Sequence, residues 1–286
     1  IILWSASTAS QGNVRLLNGS TLCTVTTGST CSATLANLSG GGDIVIGGGA
    51  ADANDAGLPG GNAMGSGTTG ATSTGLALGP CVFNNTSSVS NVISTRGGNL
   101  VLRGSSTTGD SSTTAIQAGV AICNGTTINL DAGKLDVTSQ FRAVTASYHS
   151  SFWIAPWISP ANPNAVVVNS SNAASDSVTV RAWGSNNDYT SFGLSINNSA
   201  GGGALLQMDT IWGNAAAYFN FNSTGPLRVA PYSTSFPVPM NIGSNFALSS
   251  SASLFEVGSA SNSGQIYISG DKVIAGYITL RGGNVS

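Results

Sequence analysis

Short apolar runs alternate along this chain with clusters of glycine, asparagine, aspartate and serine, and within the runs the apolar positions recur every second residue. Runs of this length, rich in β-branched and aromatic residues and bounded by turn formers, predict β-strands. GGDIVIGGG sets Ile44, Val45 and Ile46 between glycines, and GGNLVLRGS repeats the phrase with Leu100, Val101 and Leu102. GTTINLDAGKLDVTS adds Ile128, Leu130, Leu135 and Val137. SFGLSI alternates Phe192, Leu194 and Ile196, while AYFNFN puts Phe219 and Phe221 on one face and Asn220 and Asn222 on the other. Such strands bury one face and turn the other to water. No segment carries the i, i+3, i+4, i+7 spacing of an amphipathic helix.

Two segments read as hairpins. In NAVVVNSSNAASDSVTVRAW, Val166 and Val168 would face Val178 and Val180 across a polar loop. In SGQIYISGDKVIAGYITLRGG, Gly270-Asp271 is a Gly-first pair, which favours the type II′ turn between antiparallel strands. Residues 47–79 hold almost no large apolar side chain and read as a long glycine-rich loop. The recurring Gly-Gly-(Asp/Asn)-apolar-Val-apolar phrase points to a repetitive architecture, but no fixed period of roughly 20 to 30 residues aligns the copies. The expected fold is therefore all-β, sandwich-like or jelly-roll-like, because those folds tolerate irregular strand spacing. A parallel β-helix is the alternative. Composition shifts near residues 141–150: all four cysteines precede it, whereas Trp153, Trp157, Trp183 and Trp212 follow it. That shift divides the chain into an N-terminal arm (1–14), a cysteine-bearing β domain (15–144) and an aromatic-rich β domain (145–286).

Charge changes the picture more than length does. Charged residues are 7% of the 286, against about 25% in an ordinary protein. Nine Lys plus Arg against 11 Asp plus Glu leave no basic surface for phosphates, which excludes nucleic acid as a partner. A 41% hydrophobic content with net charge -2 excludes disorder. Ser, Thr and Asn occupy the polar strand faces where Lys and Glu usually stand, so the charged guard against pairing between molecules is thin. No apolar run approaches the ~20 residues that cross a bilayer, and no leader pattern is visible.

Four cysteines in such a chain imply disulfides and an extracellular or cell-surface location. Cys23 and Cys31 flank a local hairpin in TLCTVTTGSTCSATL, which would leave Cys81 with Cys123, one of three connectivities. Zinc is disfavoured, since there is no CxxC pair and His149 is the single histidine. His149 also lacks the nucleophile-elbow serine of a triad. Asp131 with Asp136, or Asp209 with Asp188, are the carboxylate pairs available for glycoside cleavage, but neither spacing is diagnostic. No catalytic residue and no cofactor is expected. Asp52, Asn54 and Asp55 offer oxygen ligands for calcium, although an Asx-type turn explains them as well. Trp153 and Trp157, in the proline-rich SFWIAPWISPANP, form either a sugar-stacking platform or an aromatic plug against a neighbouring domain or subunit. Asn-x-Ser/Thr acceptor sites stand at Asn18, Asn37, Asn84, Asn85, Asn124, Asn169, Asn197, Asn222 and Asn284, against about six expected by chance.

The apolar start Ile1, Ile2, Leu3 and Trp4, the cysteine-bearing β domain and the neutral surface together resemble β-rich subunits of bacterial extracellular filaments. Those subunits assemble by donor-strand exchange. The resemblance implies a homopolymer of copies of this chain, in which residues 1–12 complete a neighbour's sheet and Ile1 to Trp4 anchor it. The GGNLVL phrase and NIGSNFALSSSASLFEVGS are similar to phage tail-fibre and tailspike repeats, which implies a glycan-binding adhesin. A polysaccharide-cleaving β-helix enzyme is the third expectation.

Overall fold

The computed structural model describes residues 1–5, 13–16, 19–24, 41–53, 58–65, 74–79, 91–107, 117–123, 125–141, 149–154, 166–184, 193–209 and 218–286. Strands are numbered in chain order. The longest sheet has 11 strands, and its main path runs β1 (Ile2–Ser5), β4 (Ile44–Ala51), β9 (Leu100–Ser106), β12 (Leu135–Phe141), β15 (Val178–Gly184), β17 (Ala204–Met208), β19 (Pro226–Ala230), β22 (Leu254–Gly258) and β24 (Tyr277–Arg281). A 7-stranded facing sheet contains β3 (Thr21–Cys23), β8 (Val92–Ser94), β11 (Thr127–Asp131), β14 (Val166–Ser170), β16 (Gly193–Asn198), β18 (Tyr218–Asn222) and β21 (Phe246–Leu248). Two smaller sheets form the side: β2 (Val14–Leu16), β7 (Leu76–Leu78), β10 (Gln117–Ile122) and β13 (His149–Ile154) make one. The other has β20 (Met240–Ile242), β23 (Gln265–Ile268) and β25 (Asn284–Val285).

Neighbours along all these paths are parallel, and, apart from β4 to β6, consecutive strands of the chain go to different sheets. The chain thus moves between long and facing sheets, by way of a side-sheet strand in the first coils and again at β20, and each return to a sheet is one strand spacing, about 4.8 Å, further along. This is a β-helix-like solenoid. It corrects the sandwich or jelly-roll expectation, which requires antiparallel sheets; among the described residues the antiparallel pair is β4 with β5 (Pro59–Gly61).

Neither expected hairpin forms. β14 pairs with β11 and β16, and β15 with β12 and β17. β23 pairs with β20 and β25, whereas β24 pairs with β22. Gly270 does adopt the positive φ of 75° that the turn needs, but the chain beyond it moves on to the long sheet. The reason is general: period-two alternation dictates which side chains face the core, and that pattern is the same for a hairpin and for two walls of a coil. Val166, Val168, Val178 and Val180 are all buried in one core.

The stretch 47–79 is likewise not a plain loop. β4 runs on through Gly47 and Gly48 to Ala51, β5 returns along it, and β6 (Ala63–Gly65) pairs with β9. Glycine makes the layer possible. A Cβ on Gly48 would lie 2.7 Å from the Asn62 carbonyl oxygen, and one on Gly47 2.8 Å from that of Gly61.

Inward rows fill the solenoid. Leu102, Val137, Val180, Leu206, Val229 and Val257 stand in register on the long sheet, facing Ile128, Val168, Ile196 and Phe221 across it. These side chains are buried and belong to one cluster, which extends from Ile44 to Ile266. Leu135 pairs directly with Val178, so the long sheet crosses the compositional boundary without a break. Corners of the coil are closed by buried amides, as buried polar groups demand. Asn198 Nδ2 donates to Asn172 O (2.8 Å) and Ser177 Oγ (3.0 Å), and its Oδ1 accepts from the Ala200 and Gly202 amides. At the corner between β22 and β23, from long sheet to side sheet, Asn262 Oδ1 accepts from the Phe236 and Gly264 amides while Nδ2 donates to Arg281 O. Among the described residues no helix is long and apolar enough to cross a membrane.

Candidate functional site

Function has to come from what the coils turn outward. On the facing sheet, alternation sends Asn129, Asn169, Asn197 and Asn222 outward from successive strands in one register row. Amides one strand spacing apart can each donate to one neighbour and accept from the other. They do: Nδ2 of Asn169 donates to Oδ1 of Asn129 (2.9 Å), Asn197 to Asn169 (3.0 Å) and Asn222 to Asn197 (2.9 Å). Three of these are acceptor sites by sequence. The residues that complete them, Ser171, Ser199 and Thr224, lie just past the strands and bond to neighbouring coils: the Ser171 and Ser199 amides donate to Asp131 O (2.7 Å) and Ser170 O (3.0 Å), and Thr224 O accepts from the Ser253 amide (2.9 Å). Part of the sequon excess is therefore ladder and turn chemistry. Asn284 lies in β25, and Asn18, Asn37, Asn84, Asn85 and Asn124 fall outside the described residues.

On the long sheet the few charges bridge coils in the same way. Asp136 of β12 holds Arg181 of β15 at 2.7 Å, and Glu256 of β22 holds both Arg228 of β19 (3.3 Å) and Arg281 of β24 (3.1 Å). Lys134 and Asp176 meet at 2.8 Å; the Lys134 hydrogen bond holds the Asp176 carboxyl below its usual range, against slight desolvation. Asp131 ends β11 on the facing sheet with φ 52°, so the Asp131 and Asp136 pair is split between two sheets. Asp209 accepts from the Ser233 amide (2.9 Å) and hydroxyl (2.8 Å), and Asp188 falls outside the described residues. Of the calcium candidates, Asp52 faces Arg103 at 3.7 Å, while Asn54 and Asp55 are not among the described residues. Among the described residues no group of three or more His, Cys, Asp or Glu is placed to hold a metal.

The N-terminal segment is seated in its own long sheet. β1 pairs with β4, the terminal amine donates to Asp43 O (2.7 Å), and Trp4 Nε1 donates to Gly49 O (3.0 Å). Leu3 packs against the core, whereas Ile1 and Ile2 are 41% and 47% exposed. Cys23 and Cys123 are both disulfide-bonded, and Cys31 and Cys81 lie outside the described residues. The backbones of His149 and Trp153 pair with Gln117 and Ala121 in β10; their side chains, and all of Trp157, are outside the described set.

One pairing escaped the sequence. Trp183, outward at the end of β15, and Tyr232, just past β19, bring their rings to a centroid separation of 6.5 Å at a 36° tilt. VTVRAW continues the alternation far enough to place Trp183 outward beyond Arg181. Nothing in the sequence announces that Tyr232, two coils later, reaches it. No family model, curated protein or solved structure matches the chain.

Proposed function

We propose that this chain is a structural element of an extracellular or cell-surface fibre, built to join copies of itself by strand addition. The observation that carries this reading is the use of outward polar groups. The asparagine row and the Asp136–Arg181 and Glu256–Arg228/Arg281 contacts all link one coil to the next. General acid–base work needs a carboxylate within reach of a substrate proton, with its charge not already held by a cation. In this chain Asp52, Asp136, Asp176 and Glu256 each face an arginine or lysine, which favours a structural role over a hydrolytic one. The disulfide-bonded Cys23 and Cys123 suit an oxidising compartment. A solenoid lengthens by one more coil in register, so strand addition between copies requires no new geometry. Were residues 1–12 to pass to a neighbour, β1 would first have to leave β4.

Negative-stain electron microscopy and sedimentation of the purified protein test the proposal together. Filaments with an axial repeat are expected. A monodisperse monomer at high concentration rejects it.

A further inference from the structure

At one corner of the long sheet's outer face, aromatic and acidic groups from three successive coils come together. Ala182 stands opposite Met208, so the next residues, Trp183 and Asp209, emerge at neighbouring positions from β15 and β17. Ser233 fixes Asp209 through two hydrogen bonds to Oδ1, and Tyr232, its chain neighbour, turns its ring toward Trp183. Tyr232 is 39% exposed and Trp183 is half-buried. Among the described residues Asp209 Oδ2 accepts no hydrogen bond. Gln207, two residues back on the same outward face, adds an amide that both donates and accepts.

Two tilted aromatic faces beside a rigidly held carboxylate oxygen match one ligand chemistry well. A pyranose ring carries C–H groups on one face, which pack on aromatic π-systems, and hydroxyls around its edge, which donate to a fixed acceptor. We propose that Trp183, Tyr232 and Asp209 form a binding site for a neutral oligosaccharide. Neutrality follows from charge. Asp209 would repel a uronic or sialic acid, and the nearby Arg181 is already held by Asp136 at 2.7 Å. The site does not depend on fibre formation, so its failure and that of the fibre proposal are separable.

The test is a glycan array printed with neutral and acidic oligosaccharides, followed by titration calorimetry with the best neutral hit. Binding confined to neutral glycans is expected. Trp183→Ala and Tyr232→Ala should each weaken it by about tenfold or more, as loss of an aromatic anchor does. Asp209→Asn should weaken it severalfold with the far-ultraviolet circular dichroism unchanged. If Trp183→Ala disturbs folding, Tyr232→Ala and Asp209→Asn decide alone, because Tyr232 lies outside the strands. No neutral glycan bound, or affinity unmoved by both of these substitutions, overturns the assignment.

Discussion

The two side sheets occupy the same wall of the coil yet live in opposite surroundings. In the N-terminal coils β7 and β10 are buried on both faces: Leu76, Val120 and Ile122 point into the main core, while Ala77, Ala118 and Ala121 form a second small cluster with Cys123. In the C-terminal coils β20 and β23 send Asn241, Gln265 and Tyr267 outward to solvent. Coil length divides along the same line. Val178 to Ala204, Leu227, Phe255 and Ile278 advances by roughly 23 to 28 residues per coil, whereas the coils before Val178 take roughly 35 to 56. Short coils leave no spare chain, so buried side-chain amides such as Asn198 and Asn262 close their corners. Long coils carry extra chain and close differently. Glycine lets layers touch, as at Gly104, whose Cβ would meet Gly119 O at 2.1 Å, and disulfide-bonded Cys23 and Cys123 add covalent ties.

If the two regions are held by different means, they should fail separately, because contacts in a solenoid are made between neighbouring coils. The largest effect is expected from Phe255→Ala. Phe255 is fully buried between Leu227 and Ile278 in the row, 5.8 Å from the Phe246 ring, and its truncation should cost about 3–5 kcal/mol. Hydrogen exchange should show protection lost in β19, β22 and neighbouring strands, with β10 and β12 retained. Equal loss everywhere would make the solenoid one cooperative unit and remove the contrast. The converse perturbation is chemical reduction. All four cysteines lie at or before residue 123, so a thiol reductant should destabilise the N-terminal coils by about 2–4 kcal/mol and leave the exchange of β17 to β24 unchanged.

Much of the inward pattern was legible from residue order alone. Ile44, Ile46, Leu100, Leu102, Phe219 and Phe221 are buried where alternation puts them inside, and Asn220 and Asn222 face outward. What alternation does not encode is the partner of each strand, so successive walls of a coil carry the same pattern as a hairpin. The period was hidden for a related reason: the glycine-rich 47–79 stretch and the long spacers of the first coils break the count, and the regular run begins at Val178. Register also decides the site. Asn169, Asn197 and Asn222 look like separate acceptor sequences until the coils stack them, and Trp183 and Tyr232 become neighbours only across two coils.

A smaller effect comes from the corners. Asn198→Ala removes four hydrogen bonds at a position 5% exposed and should cost about 3 kcal/mol. Asn91 stands at a corner of the long coils; its Oδ1 accepts from the Ser20 amide, but among the described residues its Nδ2 finds no acceptor. Asn91→Ala should therefore cost about 1 kcal/mol. Urea denaturation of both variants measures the difference. Equal costs would mean that corner amides matter alike in short and long coils.

The smallest effect sits at the joint between the regions. Lys134 precedes β12 and Asp176 precedes β15, so their 2.8 Å contact ties the last long coil to the first short one. The hydrogen bond from Lys134 lowers the Asp176 pKa in the folded state. A depressed carboxyl pKa gives stability that is fully present above the unfolded value, about 3.9 for aspartate, and is lost as pH falls through the lower folded value. Both side chains are largely exposed, so solvent and salt screening should hold the contribution below about 1 kcal/mol. Lys134→Met should accordingly flatten a small fraction of the acid-induced loss of stability at low ionic strength and change nothing near neutral pH beyond that amount. An effect larger than this, or one that persists undiminished at high salt, would show the joint to be braced by this pair and the two regions to be more tightly coupled than their separate closures imply.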